Sequence, residues 1–184
     1  MGSNLVKMLG SGADEITVLT RAKSETRGGI KYLNVDYHNE ESVISATQGC
    51  GALVHLAATL FARNRSEFIK ENVISTKNLV RAANKNNVKK FIYISSLAAG
   101  GPSREILKPR NEEMPDEPAS NYSLSKLLAE KELDNLNCDR IILRPPIVYG
   151  PKDDGFSTIS EWVRKGFMIS PSSKDARFSF IFVG

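Results

Sequence analysis

The sequence predicts an α/β protein built on a doubly wound parallel sheet. Two patterns carry that prediction. Short apolar runs rich in Val and Ile alternate with segments of helical period, as parallel strands joined by crossover helices require. The residues with obvious chemistry fall just after those runs, at the carboxyl ends of the strands, where open α/β sheets bind ligands. At 184 residues, 41% hydrophobic and 25% charged, the chain is long enough to bury one good core.

In chain order, "GSNLVKML" reads as the first helix, over about 3–10. The runs "EITVLT" (15–20) and "IKYLNV" (30–35) read as strands, and a helix is expected over 40–48. "ALVHLA" (52–57) is the next strand, followed by a long helix over 66–86 with Ser66 as its cap. Phe68, Val73, Leu79 and Ala83 form that helix's inward stripe. "KFIYIS" (90–95) is a strand, and the stretch 100–120, with four prolines, is a long polar loop of a length more often functional than structural. Helix 121–136, strand "RIILR" (140–144), helix 156–166 and a last strand within "ARFSFIFVG" complete the pattern.

Composition removes several functions. Cys50 and Cys138, with His38 and His55, are too few and too scattered for a disulfide framework or a zinc site, so no metal is expected. No apolar run approaches the ~20 residues that cross a bilayer, and the N-terminus lacks a signal pattern, which places the chain in the cytoplasm, away from membranes. The net charge of +4 comes from basic residues spread along the chain rather than gathered in a stripe, so no nucleic-acid partner is expected. A bound anionic cofactor could use a few of them.

The candidate chemistry starts with "NYSLSKLLAEKEL", where Tyr122 and Lys126 stand four residues apart on one helix face. An ammonium beside a phenol stabilises the phenolate and lets the tyrosine pass a proton near neutral pH. Ser95 and Ser96 end a strand, so a hydroxyl there would project toward the crevice the Tyr122 helix overlooks. Ser96 could then orient a substrate carbonyl or hydroxyl beside Tyr122. His55, with nothing nearby in sequence to orient its imidazole, reads as a packed strand residue rather than a base.

The ordered set "LVHLAA" (53–58), "ENVISTKNLVRAA" (71–83), "FIYISSLAAGG" (91–101), "YSLSK" (122–126) and "LRPPIVYGP" (143–151) resembles the short-chain dehydrogenase/reductases. The likeness is to their extended branch of NAD(P)-dependent epimerases, dehydratases and reductases. It implies a Rossmann-like dinucleotide-binding domain over 1–184, with the start of a substrate-binding region from about 145. It also implies Ser96, Tyr122 and Lys126 as the catalytic group, Tyr122 being the acid/base and Lys126 holding the nicotinamide ribose. Ala57, Ala58 and Ser95 would line the cofactor crevice, Pro146 and Ile147 would lie near the nicotinamide, and Asp36 would contact adenine. Asn72 is a structural candidate for the central helix. The implied activity is hydride transfer on a nucleotide sugar or another small hydroxyl or carbonyl compound, with a homodimer compatible. A non-catalytic NADP(H) sensor and an inactive fragment are the alternatives.

Cofactor choice follows from charge. Arg21 and Lys23 follow the strand at 15–20, where an arginine accommodates the 2′-phosphate of NADP and an acid would bind the ribose hydroxyls of NAD, so NADP is expected with NAD as the alternative. Gly2 matches the last glycine of the family's G-x-x-G-x-x-G phosphate turn, whereas the preceding strand and first two glycines do not occur in the sequence. A strand in that position lies between two others, and its lack bares two inner edges at a cost comparable with a domain's net stability. Either those residues belong to a longer polypeptide, or the strands on either side close on each other.

Overall fold

The computed structural model describes residues 1–10, 12, 15–103, 105, 108–151, 161–167 and 177–183. Helix α1 (Gly2–Leu9) is followed by β1 (Thr17–Thr20), β2 (Glu25–Arg27), β3 (Ile30–Asn34), α2 (Glu40–Ala46) and β4 (Ala52–His55). A continuous helical stretch then runs as α3 (Arg65–Phe68), a π-helical turn (Ile69–Ile74) and α4 (Ser75–Lys85), ahead of β5 (Lys90–Ile94). Helix α5 (Asn121–Glu132), β6 (Asp139–Leu143), β7 (Ile147–Tyr149) and β8 (Phe180–Phe182) follow.

The strands form three sheets in the orders β1-β3-β2, β4-β5-β6 and β7-β8. Pairing of β1 with β3, of β4 with β5 and of β5 with β6 is parallel, as the crossover pattern requires. Among the described residues β1 pairs only with β3 and β4 only with β5, so the two strands do not close on each other and the expected single sheet is divided in two. One core still spans both halves. Val35, Tyr37 and Val43 from the first half are buried with Leu53, Leu79, Phe91, Tyr93 and Leu133 from the second. The helix stripe Phe68, Val73, Leu79 and Ala83 is buried throughout.

Three sequence expectations need correction. The long helix starts at Asn64, not Ser66: the Asn64 side chain accepts the Glu67 N–H at 2.9 Å, closing the free first turn. The helix then widens into a π turn around Asn72, a local feature that apolar periodicity does not register. Strand β2 arises from "ETRGGI", where Gly28 and Gly29 at φ 58° and 78° make a tight hairpin that pairs β2 antiparallel to β3. Of the expected helix 156–166, residues 156–160 lie outside the described residues, while 161–164 are helical.

The long segment after β5 is closed at its base. Gly101 sits at φ +89°, and a Cβ there would come within 2.0 Å of the Glu117 carbonyl oxygen. The Glu117 N–H donates to Gly100 O at 2.9 Å, so the ends of the 100–117 excursion are held together.

Candidate active site

Ser120 starts α5 with a reciprocal cap, its Oγ accepting the Ser123 N–H while Ser123 Oγ accepts the Ser120 N–H. This fixes the first turn and sets Tyr122 and Lys126 on the face that meets β5 and the turn Leu97–Ala99. Lys126 is buried, its Nζ donating to Ile94 O at 2.9 Å and lying 4.2 Å from the Tyr93 ring centroid. Burial pulls its ammonium down to about 8, with the Glu130 carboxylate acting in the opposite direction.

Tyr122 is half-buried, its ring 6.2 Å from that of Phe68 in an edge arrangement. Burial raises the phenol above its ordinary range, while the Ser96 hydroxyl acts to lower it. The phenol is therefore raised, not lowered as the sequence suggests: burial is the dominant cause, and the group that acts to lower it is the Ser96 hydroxyl rather than the Lys126 ammonium. Ser96 also accepts the Ala98 N–H at 3.2 Å, which caps the turn after β5 and leaves its own hydroxyl proton to donate elsewhere. Serine, tyrosine and lysine thus converge at the carboxyl end of β5.

Ser95 faces another way. It is buried, and its hydroxyl donates to Glu130, so the side chain does not line the crevice. Glu130 is in turn held by Arg144, Nε at 3.0 Å and Nη2 at 2.6 Å, and the same guanidinium binds Asp116 through Nη1 and Nη2 at 2.7 and 2.9 Å. Arg144 beside Asp116 holds that carboxyl below its usual range, and its two carboxylate partners raise the guanidinium. Sequence reasoning missed Glu130 and Arg144, although Glu130 continues the spacing of four from Lys126.

Asn72 explains the π turn. Its Oδ1 accepts the Thr59 N–H at 2.7 Å, and its Nδ2 donates to Thr59 O at 3.1 Å and to Ser125 Oγ at 2.9 Å. One side chain thereby ties the segment after β4 to the helix carrying Tyr122. His55 bonds Thr76 Oγ1 at 2.9 Å, and burial pushes its imidazole down to about 3, which suits a packed strand residue.

The remaining cofactor candidates lie at strand ends. Ala57 and Ala58 are exposed after β4, and Lys23 is exposed after β1. Asp36 is exposed after β3, its Oδ1 accepting the His38 N–H at 2.9 Å. Pro146 is half-buried and Ile147 begins β7. Gly2 opens α1, a helix without a buried residue. Arg21 is not a free cation, because its Nη2 donates to Glu71 Oε2 at 2.7 Å.

A family model described as the NAD dependent epimerase/dehydratase family matches residues 1–168. The chain belongs to that family. Within it, the UDP-glucose 4-epimerase of Vibrio cholerae is 30% identical over 178 residues, covering 90% of this chain and 54% of that protein. The bovine (Bos taurus) sterol-4-alpha-carboxylate 3-dehydrogenase is 24% identical, covering 98% of this chain and 54% of its own length. The chain thus spans about half the length of the curated relatives it matches. Among solved structures, the UDP-N-acetylglucosamine 4-epimerase of Bacillus cereus superposes with a TM-score of 0.81 at 26% identity, over 98% of this chain and 63% of that one. The Bordetella bronchiseptica enzyme WbmG, solved with NAD and UDP, shares the fold at a TM-score of 0.83 and 22% identity, over 99% of this chain and 61% of that one. The Rossmann architecture of this epimerase/dehydratase chain is therefore that of its extended short-chain relatives.

Proposed function

We propose that this chain carries the dinucleotide-binding and proton-transfer half of an NAD(P)-dependent enzyme acting on a hydroxyl or carbonyl carbon, with a nucleotide sugar as the substrate class. The convergence of Ser96, Tyr122 and Lys126 at the carboxyl end of β5 carries the reading, and the sugar-nucleotide relatives support the substrate class.

The residues fit a dinucleotide at its two ends. Among the described residues Lys126 Nζ donates to one oxygen, Ile94 O, which leaves donors for a ribose. At the far end Asp36 and Arg21 are exposed, and His38 Nδ1 is buried without a protein partner among the described residues. The N-terminus of α1, with Gly2, is the helix end that would face the pyrophosphate. Ala57, Ala58, Pro146 and Ile147 would flank the group between these ends. Arg21 and Lys23 support NADP, with NAD as the alternative.

When bound, the nicotinamide supplies an acceptor and donor of hydride. The chain's own residues handle the proton: Ser96 donates a hydrogen bond to the substrate oxygen, and the Tyr122 hydroxyl gives or takes that oxygen's proton. Lys126, protonated below about pH 8, stabilises the phenolate when the proton leaves. Turnover of UDP-sugars, followed by chromatography of the products with NAD or NADP present, tests the reading against the Tyr122→Phe variant. A loss of about 10²–10⁴-fold is expected from removing a general acid/base. Near-full activity in the variant removes Tyr122 from the mechanism, and dinucleotide binding without any turnover supports a sensor instead.

A further inference from the structure

At the carboxyl ends of β1 and β3, side chains from three elements meet. Arg21, the first residue after β1, donates from Nη2 to Glu71 Oε2 at 2.7 Å. His38, in the turn after β3, lies with Nε2 3.0 Å from the other oxygen, Oε1. Glu71 comes from the π turn, next to the Asn72 that ties down the segment after β4. Its side chain is 17% exposed, against 63% for Arg21. The carboxylate is thus held from two sides in a mostly buried position, while the guanidinium reaches from it into solvent. Beside it, His38 Nδ1 is buried with no partner among the described residues, a polar atom left over at the edge where a ligand would lie.

After β1 the sequence puts cations, Arg21 and Lys23, and the carboxylate that holds Arg21 arrives from 50 positions further along the chain, while Asp36 after β3 is turned to the His38 N–H. That changes the electrostatics of the ribose end. A 2′-phosphate, carrying up to two negative charges, would approach a guanidinium whose one edge is already taken by a carboxylate, and would sit beside a like charge. An unphosphorylated ribose brings hydroxyl donors that a fixed carboxylate can accept.

We propose that Glu71 is a specificity-determining residue for the dinucleotide. Its carboxylate, held on Arg21 and His38, opposes a 2′-phosphate and accepts ribose hydroxyls, drawing toward NAD a site that Arg21 and Lys23 alone would turn toward NADP. The inference rests on the reading of this crevice as a dinucleotide site.

Titration calorimetry of the protein with 2′,5′-ADP and with 5′-AMP isolates the effect, because the two share adenosine and differ in the 2′-phosphate. Glu71→Gln should raise the 2′,5′-ADP over 5′-AMP affinity ratio about three- to tenfold, the range for a charge contact partly screened by solvent. In an Arg21→Ala background the same change should act less, since the two residues are coupled. In the unmodified protein, NMR of the Arg21 Nε–H should show a shift on adding 2′,5′-ADP and little on adding 5′-AMP, a readout independent of how any variant folds. An unchanged ratio in Glu71→Gln with both nucleotides bound, or an Arg21 resonance indifferent to 2′,5′-ADP, overturns the inference while the cofactor reading stands. Failure of the unmodified protein to bind either nucleotide overturns the cofactor reading, and the inference with it.

Discussion

Arg144 is the residue whose loss should be felt most widely. Its guanidinium makes four hydrogen bonds to two carboxylates, Glu130 on α5 and Asp116 in the long segment after β5. Glu130 is only 7% exposed, so in Arg144→Met a nearly buried carboxylate keeps the Ser95 hydroxyl and the charge of Lys126 but loses its principal counter-ion. Breaking a buried pair on one side costs about 3–5 kcal/mol, and the part-exposed guanidinium, 27% accessible, moves this to the low end. Losing the more exposed Asp116 pair adds at most about 1 kcal/mol. The expected total is about 3–4 kcal/mol, read as a lower midpoint in urea unfolding followed by circular dichroism, with the melting temperature down by roughly 6–16 °C for a domain of this size. The double variant Arg144→Met with Glu130→Leu should cost less than the sum of the two single variants, because with Glu130 gone no buried carboxylate is left without its guanidinium, although Ser95 and Lys126 then lose that carboxylate as well. A cost under about 1 kcal/mol for Arg144→Met, or strict additivity with Glu130→Leu, would refute the reasoning.

Other outcomes follow from the same geometry. Ser96→Ala should lower turnover by about 10²-fold, as losing a single oriented donor does, with less effect on folding, measured by steady-state kinetics beside thermal melts. Gly101→Ala should destabilise by at least about 2 kcal/mol and free the 100–117 segment to proteases, since the new Cβ meets Glu117 O at 2.0 Å on a backbone at φ +89°; resistance equal to the parent would contradict it. Lys126 holds its proton less tightly when folded, at about 8 against 10.5 in the unfolded chain. The unfolded state therefore binds more protons between those values, and stability from this group should rise with pH across that window. The difference between the parent and Lys126→Met in urea midpoint, taken at several pH values, should show that rise; a flat difference would count against a buried ammonium. His55, pushed down to about 3 from 6.5, predicts stability falling as pH drops below about 6.5, and Asp116, held by Arg144 below its ordinary 3.8, adds to that fall only below 3.8; urea midpoints across this acid range check both.

Much of the framework is legible in local sequence. The strands at 17–20, 30–34, 52–55, 90–94 and 139–143 lie within or overlap the apolar runs that parallel strands carry, although β4 is buried only at alternate residues and β6 is exposed throughout. The spacing of Tyr122 and Lys126 on one helix turn is equally local, as is the hydroxyl placed at a strand's end. The π turn is less so: the helix widens where Asn72 reaches across to Thr59 and Ser125, partners that no window of sequence contains. The hairpin of β2 was within reach, marked by Gly28 and Gly29, and is hidden only by the absence of apolar alternation in "ETR".

The sequence by itself determined the order of the principal strands and helices, though not the short strands β2 and β7, and the positions of Ser96, Tyr122 and Lys126, since periodicity and spacing act over a few residues. The tertiary structure alone decided the electrostatics. It turned Ser95 toward Glu130, raised the Tyr122 phenol by burial with Ser96 acting against it, and brought Glu71 onto Arg21. Charge and burial depend on distances in space, and those are fixed by residues far apart along the chain.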